Sequence, residues 1–422
     1  MNKELRIKKL KEIVDQDNPY MTGIRIRYKG GVGEFKAYQI PLEFLIYNKY
    51  NGRIGSAVKS FEKQNRSLNP EVVDDSYIIE KYLFDSKKGR NESTLKNLVE
   101  NGQQQYGIVT NDGVIIDGNR RASLLNKIYR ERKKWPNQNL DNCQYFIAVI
   151  LPETPEQKDI MKLETTYQMG ADEKLDYNPI EKYLKCKDLR EVGYDELEIA
   201  DMMSETENTI KEWLEIMELM DSYLEYLDYI GIYTRLEKRE GQFVDLNGYL
   251  KAYEKRTTKV EWGIDDSDIA DLKAVSFDYI RAQYEGKEFR SIAKPSKKDS
   301  IFCDEGIWKS FLDNHSESMD RINEDSLDEL YRNNPDEDLS SLLEARDDSW
   351  TKKSSGLLKG NLNQSVRKLE DKKDANKPLE LLKKAKDALE AINSDSLDQT
   401  NMYLVKEIST IAWNFKKIIE KK

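Results

Sequence analysis

The stretch "VIIDGNRRASLL", Val114 to Leu125, constrains the fold more than any other part of the chain. Its β-branched run favours an extended segment, whereas Ala122, Leu125, Ile128 and Tyr129 recur at helical spacing. The chain must turn from strand to helix around Asp117, Gly118 and Asn119, which sets Arg120 and Arg121 in the first helical turn. Backbone N–H groups there lack intrahelical partners, and the helix dipole adds partial positive charge. Gly118 is expected to let the backbone approach a ligand, and two forked guanidiniums suit phosphate oxygens. The corner therefore reads as a polyphosphate cradle. Spacing alone leaves a second reading open, in which one arginine pairs with Asp117 or a nearby carboxylate and the other is solvated.

The surrounding pattern predicts a compact α+β domain over residues 1–152. A short helix precedes a hairpin, "GIRIRY" and "EFKAYQIP", with Gly30, Gly31 and Gly33 expected in the turn. Residues 60–91 read as an insertion with a helix of its own. "STLKNLVENG" reads as a helix stopped by Gly102, "QYGIVT" and "VIIDG" as a second hairpin, Asn119 to Lys134 as a helix and "YFIAVIL" as a final strand. Beyond this the chain is helical. Thr154, Pro155 and Gln157 predict one capped helix start, and Asn178, Pro179 and Glu181 another. Residues 153–230 are expected to form a helical region whose last two helices, meeting near Ser204, have the spacing of a helix-turn-helix unit. Residues 231–347 read as a separate helical region of unassigned role, followed by a polar connection, "DDSWTKKSSGLLKGN". Residues 361–422 predict a helical hairpin with one stripe of Leu382, Ala385, Leu389 and Ile392 and another of Leu404, Ile408, Ile411, Phe415 and Ile418. These stripes are expected to bury each other or a second subunit, giving a homodimer or a docking surface for protein partners.

Composition removes several kinds of chemistry. The 422 residues include one histidine, His315, so histidine triads and multi-histidine metal sites are excluded. Cys143, Cys186 and Cys303 fall in no metal-ligand spacing and point to a reducing, cytoplasmic setting. Neither a signal peptide nor a membrane span is expected. The net charge of −10 is unevenly distributed: residues 1–135 carry 26 Lys+Arg against 17 Asp+Glu, whereas residues 191–230 carry Lys211 against 13 acids. The basic front predicts attraction to anions, DNA included. The candidate recognition helix offers Glu205, Glu207, Glu212, Glu215 and Glu218, which predicts that it does not read DNA and instead packs internally or meets a basic protein.

The order of motifs resembles the ParB/sulfiredoxin superfamily, whose members bind nucleotide at a "GxRR"-like corner. Here the box is "DGNRR", residues 117–121, and "IPLEFLIYNKYNGRI", "LVENGQQQYGIVTNDG", "LETTYQM" and "LDYNPIEKY" are similar to its companion segments in order and spacing. The likeness covers about 180 residues. It implies a ParB/sulfiredoxin-like N-terminal fold in which Gly118, Asn119, Arg120 and Arg121 hold the phosphates of CTP or ATP. It further implies that Arg53, Gln105 and Asp117 lie nearby and that Glu164 holds Mg²⁺, with Gln168 one turn on placed to orient water or ligand. The chain departs from the family pattern at Asn119, Thr165 and Gln168, where partition proteins have glutamate, asparagine and arginine. Asn119 also stands where sulfiredoxins have their nucleophilic cysteine, which excludes sulfinic acid repair. The expected activity is a Mg²⁺-dependent nucleotide switch or slow NTP hydrolase in segregation, DNA modification or phage defence. The alternatives are a Mg²⁺-dependent DNA nickase, a kinase of a small hydroxyl compound, and a non-enzymatic accessory subunit of a defence complex.

Overall fold

The computed structural model describes residues 2–420 apart from 29–30, 154, 169–176, 259, 296–298, 335–336, 338 and 394–398. Helix α1 (Lys3–Asp15) leads into β1 (Met21–Tyr28) and β2 (Gly31–Pro41), followed by α2 (Gly55–Gln64), α3 (Val73–Asp85) and α4 (Lys88–Asn101). Then come β3 (Gly107–Val109), β4 (Ile115–Asp117), α5 (Asn119–Arg130) and β5 (Tyr145–Ile150). The five strands form one sheet in the order β1-β2-β5-β3-β4, antiparallel except for the parallel β3 and β5. Both faces of the sheet are covered. Ile115 packs with Ile79, Leu83 and Ile128 on one side, and Ile116 with Ile26, Val149 and Leu163 on the other. Double coverage explains why β4 is apolar without alternation.

Three expectations in this part need correction. Gly31 and Gly33 lie within β2, paired with Tyr28 and Ile26, rather than in the hairpin turn, while Gly30 is outside the described residues. The segment from 60 to 91 has the expected helix of its own, α3, but it is integral to the domain, with Ile79 and Leu83 fully buried in the same core as α5. Helix α4 begins at Lys88, before the Ser93 start that the sequence suggested, and the buried Asn91 ties its first turn to Leu83 and Phe84 carbonyls.

The rest is helical: α6 (Gln157–Gln168), α7 (Pro179–Glu191), α8 (Glu196–Met203), α9 (Glu207–Tyr226), α10 (Glu240–Glu254), α11 (Asp266–Arg281), α12 (Gly286–Ala293), α13 (Glu305–Asp320), α14 (Leu327–Asn333), α15 (Leu339–Glu390) and α16 (Met402–Glu420). Asn178 caps α7 as expected, but Glu181 does not close a capping box and reaches α2 instead. Pro155 precedes α6 rather than opening it, and Thr154 is outside the described residues. Helices α8 and α9 meet at Ser204, whose φ of 51° makes the tight turn.

The largest core joins Tyr183, Met220, Phe243, Phe277, Trp308 and Leu358, so the expected boundary at 230 falls inside one packed unit. The polar connection after residue 347 is instead part of α15, where Trp350, Ser354, Leu358 and Leu362 bury one face while Lys352, Lys353, Ser355 and Lys359 are exposed on the other. The C-terminal stripes are not buried against each other within one chain: Leu382 is 45% exposed, Leu404 58% and Ile418 55%. The three cysteines are free and buried. Among the described residues no helix is long and apolar enough to cross a membrane.

Candidate functional site

Helix α5 starts behind Gly118, whose φ of 95° turns the chain sharply off β4. No side chain caps this helix, and its first turn contains no acid to offset the positive end of its dipole. In front of it lies a cleft of about 80 Å³, lined by Asn51, Arg53, Thr94, Asp117, Gly118, Asn119, Arg120, Arg121 and Gln168. Three guanidiniums and one carboxylate therefore share a small polar hollow at a helix N-terminus, and the local balance favours an anion.

The structure brings most of the expected residues together and gives several of them different work. Arg121 donates to the carbonyls of Gln105 (2.8 Å) and Tyr106 (3.1 Å) and to Oε1 of Gln105 (3.2 Å), so Gln105 positions this guanidinium from outside the cleft lining. The Arg53 guanidinium lies 4.5 Å from the centre of the Tyr177 ring, a cation–π contact that positions the group at the cleft wall. Gly118 is required for packing as much as for any ligand: a Cβ there would lie 2.6 Å from the Phe146 ring, and positive φ penalises side chains independently.

Asn119, expected to help hold phosphate, is only 1% exposed. Its Oδ1 accepts from the Asn48 N–H (2.8 Å) and its Nδ2 donates to the Ile115 carbonyl (2.8 Å), tying the loop before α2 to β4. Gln168 is likewise a brace, accepting from Asn51 Nδ2 (3.2 Å) and Tyr177 Oη (2.7 Å) and donating to the Ile116 carbonyl (3.0 Å). Its amide is thus engaged on both sides, which corrects the expectation that it orients water.

Glu164 needs the largest correction. It is 1% exposed; one carboxylate oxygen accepts from the Gly52 N–H (2.6 Å) and the other pairs with the equally buried Lys185 of α7. A carboxylate so neutralised gives the loop its position and offers no open ligand direction to the cleft. Among the described residues no group of three or more His, Cys, Asp or Glu side chains is arranged to hold a metal. Asp117 is the carboxylate that lines the cleft. One carboxylate together with phosphate oxygens and water satisfies the usual demands of Mg²⁺, so the residues fit that ion through Asp117.

The loop from Asn51 to Ile54 and the start of α2 are also fastened on their far side. Glu181 accepts from the Ser56 N–H (3.2 Å) and from its hydroxyl, and Lys59 pairs with Asp188 at 2.6 Å. Burial pushes the Glu181 carboxyl up to about 7, opposed by the Ser56 and Gly55 donors and reinforced by the charge of Asp188. Asn51, Thr94, Tyr177, Glu181 and Lys185 were not singled out for these places from sequence. The "YNGR" turn at 50–53 is a signal that could have identified Asn51, while nothing local distinguishes Lys185 from the solvated lysines around it.

A larger hollow of about 510 Å³ lies between α3 and α5, walled by Tyr47, Tyr77 and Tyr129. Its charges are matched internally, Arg130 with Glu80 and Arg6 with Glu71, so it makes no comparable demand for an anion. No family model, curated protein or solved structure matches this chain.

Proposed function

We propose that this protein is a ParB-like nucleotide-dependent switch that binds the phosphate tail of CTP or ATP, with Mg²⁺, at the start of α5. The observation that carries the reading is the convergence of Arg53, Arg120 and Arg121 on one hollow at an acid-free helix N-terminus. Magnitude limits what enters: about 80 Å³ is well below the ~300 Å³ and more of pockets that enclose a whole ligand. Phosphoryl groups occupy the cleft, and ribose and base lie outside it. Asp117 is the residue that would hold Mg²⁺, and the ion would screen the phosphate charge there.

The switch character rests on the loop. Asn51 and Arg53 belong to the cleft, while Gly52 and Ser56 are fastened to Glu164 and Glu181 of the helical part. Movement of Arg53 toward phosphate therefore pulls on α6 and α7. A hydrolytic or nicking reading has less support, since a single carboxylate lines the cleft. Isothermal titration with CTP, ATP and GTP, with and without Mg²⁺, tests the proposal. Binding is expected for the wild type and a loss of at least about tenfold in Arg120→Ala/Arg121→Ala, consistent with removal of two charge-assisted contacts. Wild-type protein that binds none of the three nucleotides would overturn it.

A further inference from the structure

We infer that the end of α5 remote from the cleft, together with the start of α4, docks on the phosphodiester backbone of a nucleic acid. This stands independently of the nucleotide reading. Residues 87–90 carry three cations and no acid, and residues 127–134 carry five cations and one acid, Glu131. The fold joins the two groups. Asn91 Nδ2 donates to the Phe84 carbonyl (2.6 Å), and Lys127 Nζ lies 3.7 Å from the centre of the Phe84 ring, so α3 ends between them.

Much of this charge is uncompensated. Arg130 pairs with Glu80 and Lys134 with Glu131, but among the described residues Lys87, Lys88, Lys127 and Lys133 pair with no carboxylate, while Asp85 and Glu92 are the acids flanking the α4 start in sequence. Cations after α5 are explained in part by its dipole, whose C-terminal end is negative. That explanation fails for α4. Its first turn has no acid and carries Lys88 and Arg90, where the dipole opposes positive charge. Lys87 and Lys88, which pair with no carboxylate among the described residues and sit at an end where the helix field opposes them, indicate an external polyanion.

The guanidiniums are also held in place. Arg132 lies 4.6 Å from the Tyr129 ring centre and donates to its carbonyl (2.8 Å), and Arg130 lies 5.1 Å from the Tyr77 ring centre. Arg130 spends its fork on Glu80, whereas Arg132, with one terminal nitrogen on the Tyr129 carbonyl, is held with less freedom to lose on contact. The helix-turn-helix unit offers the opposite surface: Glu207, Glu212 and Glu218 are exposed, and Lys211 is already paired with Glu207.

The test is fluorescence anisotropy with a labelled duplex and a single strand of equal length, titrated with salt. Full-length wild type is compared with Lys88→Glu/Arg132→Glu/Lys133→Glu and with Lys383→Glu/Lys384→Glu/Lys406→Glu, which changes net charge equally at exposed positions of α15 and α16. Circular dichroism checks that each variant is folded. We expect the first variant to lose about tenfold or more in affinity and about two to three in log–log salt slope, with the control near wild type. Loss confined to duplex, to single strand, or common to both supports the surface and identifies the strand form it takes. No wild-type binding at low salt, equal loss in both variants, or equally strong competition by polyglutamate overturns it.

Discussion

The segment from Asn51 to Ser56, a loop that runs into the start of α2, separates two regions that treat charge in opposite ways. Toward α5, Arg53, Arg120 and Arg121 gather around a hollow with Asp117 as the lining carboxylate. Toward α6 and α7, each carboxylate has its own partner: the buried Glu164 has Lys185 and the Gly52 N–H, the buried Glu181 has the Ser56 donors, and the half-buried Asp188 has Lys59. An excess of one sign around a hollow calls for a ligand, whereas matched charge fixes chain position even though a hollow of about 210 Å³ lies beside Glu181, Lys185 and Asp188. Residue type alone does not separate the two cases, since Glu164 and Asp117 are equally plausible metal ligands on paper.

The strongest way to break this contrast is to unbalance the matched side. Lys185→Met removes the partner of a carboxylate that is 1% exposed, and leaving such a charge unpaired costs about 3–5 kcal/mol. Denaturant unfolding should register that loss, and Lys185→Met/Glu164→Leu should recover most of it because both charges are then gone. If Lys185→Met unfolds at the wild-type midpoint, the pair is not the fixed structural element described here.

A second test uses pH. Glu181 titrates near 7 in the folded protein, above its ordinary value near 4.5, so the folded state holds this proton more tightly than the unfolded chain does. Its contribution to stability is full below about 4.5, declines as pH rises toward about 7, and is lost above that. The total is on the order of 3 kcal/mol. Glu181→Gln keeps an acceptor for the Ser56 N–H and removes the charge. It should flatten the pH dependence of stability between about 5 and 8 and raise the unfolding midpoint at pH 8; an unchanged slope would show that another group governs this window.

How much of this was legible follows from what a local pattern encodes. The strand, corner and helix from Ile115 to Arg130 appear where β-branched and helical periodicities meet, and the acidic face of α9 is visible from composition. The direction of Asn119 and Glu164 was not legible, because it depends on Asn48 and Lys185, partners 71 and 21 residues away. The same holds for α15. Its serines and lysines suggest a connection, and only the core containing Trp308 and Phe311 shows that Trp350, Leu358 and Leu362 form a buried face. Segment 60–91 misled for the mirror reason: its surface residues are charge-mixed, while Ile79 and Leu83 meet a helix some forty residues later.

The smallest expected effect sharpens the contrast at the point where the two regions touch. Tyr177 serves both, its ring beneath Arg53 at 4.5 Å and its hydroxyl donating to Gln168 at 2.7 Å. Tyr177→Phe removes the hydroxyl alone. Gln168 Oε1 still accepts from Asn51 Nδ2, so no buried acceptor is stranded and the cost should be about 1 kcal/mol. The ring remains under the guanidinium, so nucleotide affinity should stay within about a factor of two, whereas Tyr177→Leu, which removes the π face, should lower affinity by several-fold. Stability and affinity would then separate on one side chain, as they must if Gln168 braces the fold and Arg53 faces the ligand. Equal loss of affinity in both variants would instead mean that the brace itself sets the cleft, and the division between an open and a matched region would not hold at this residue.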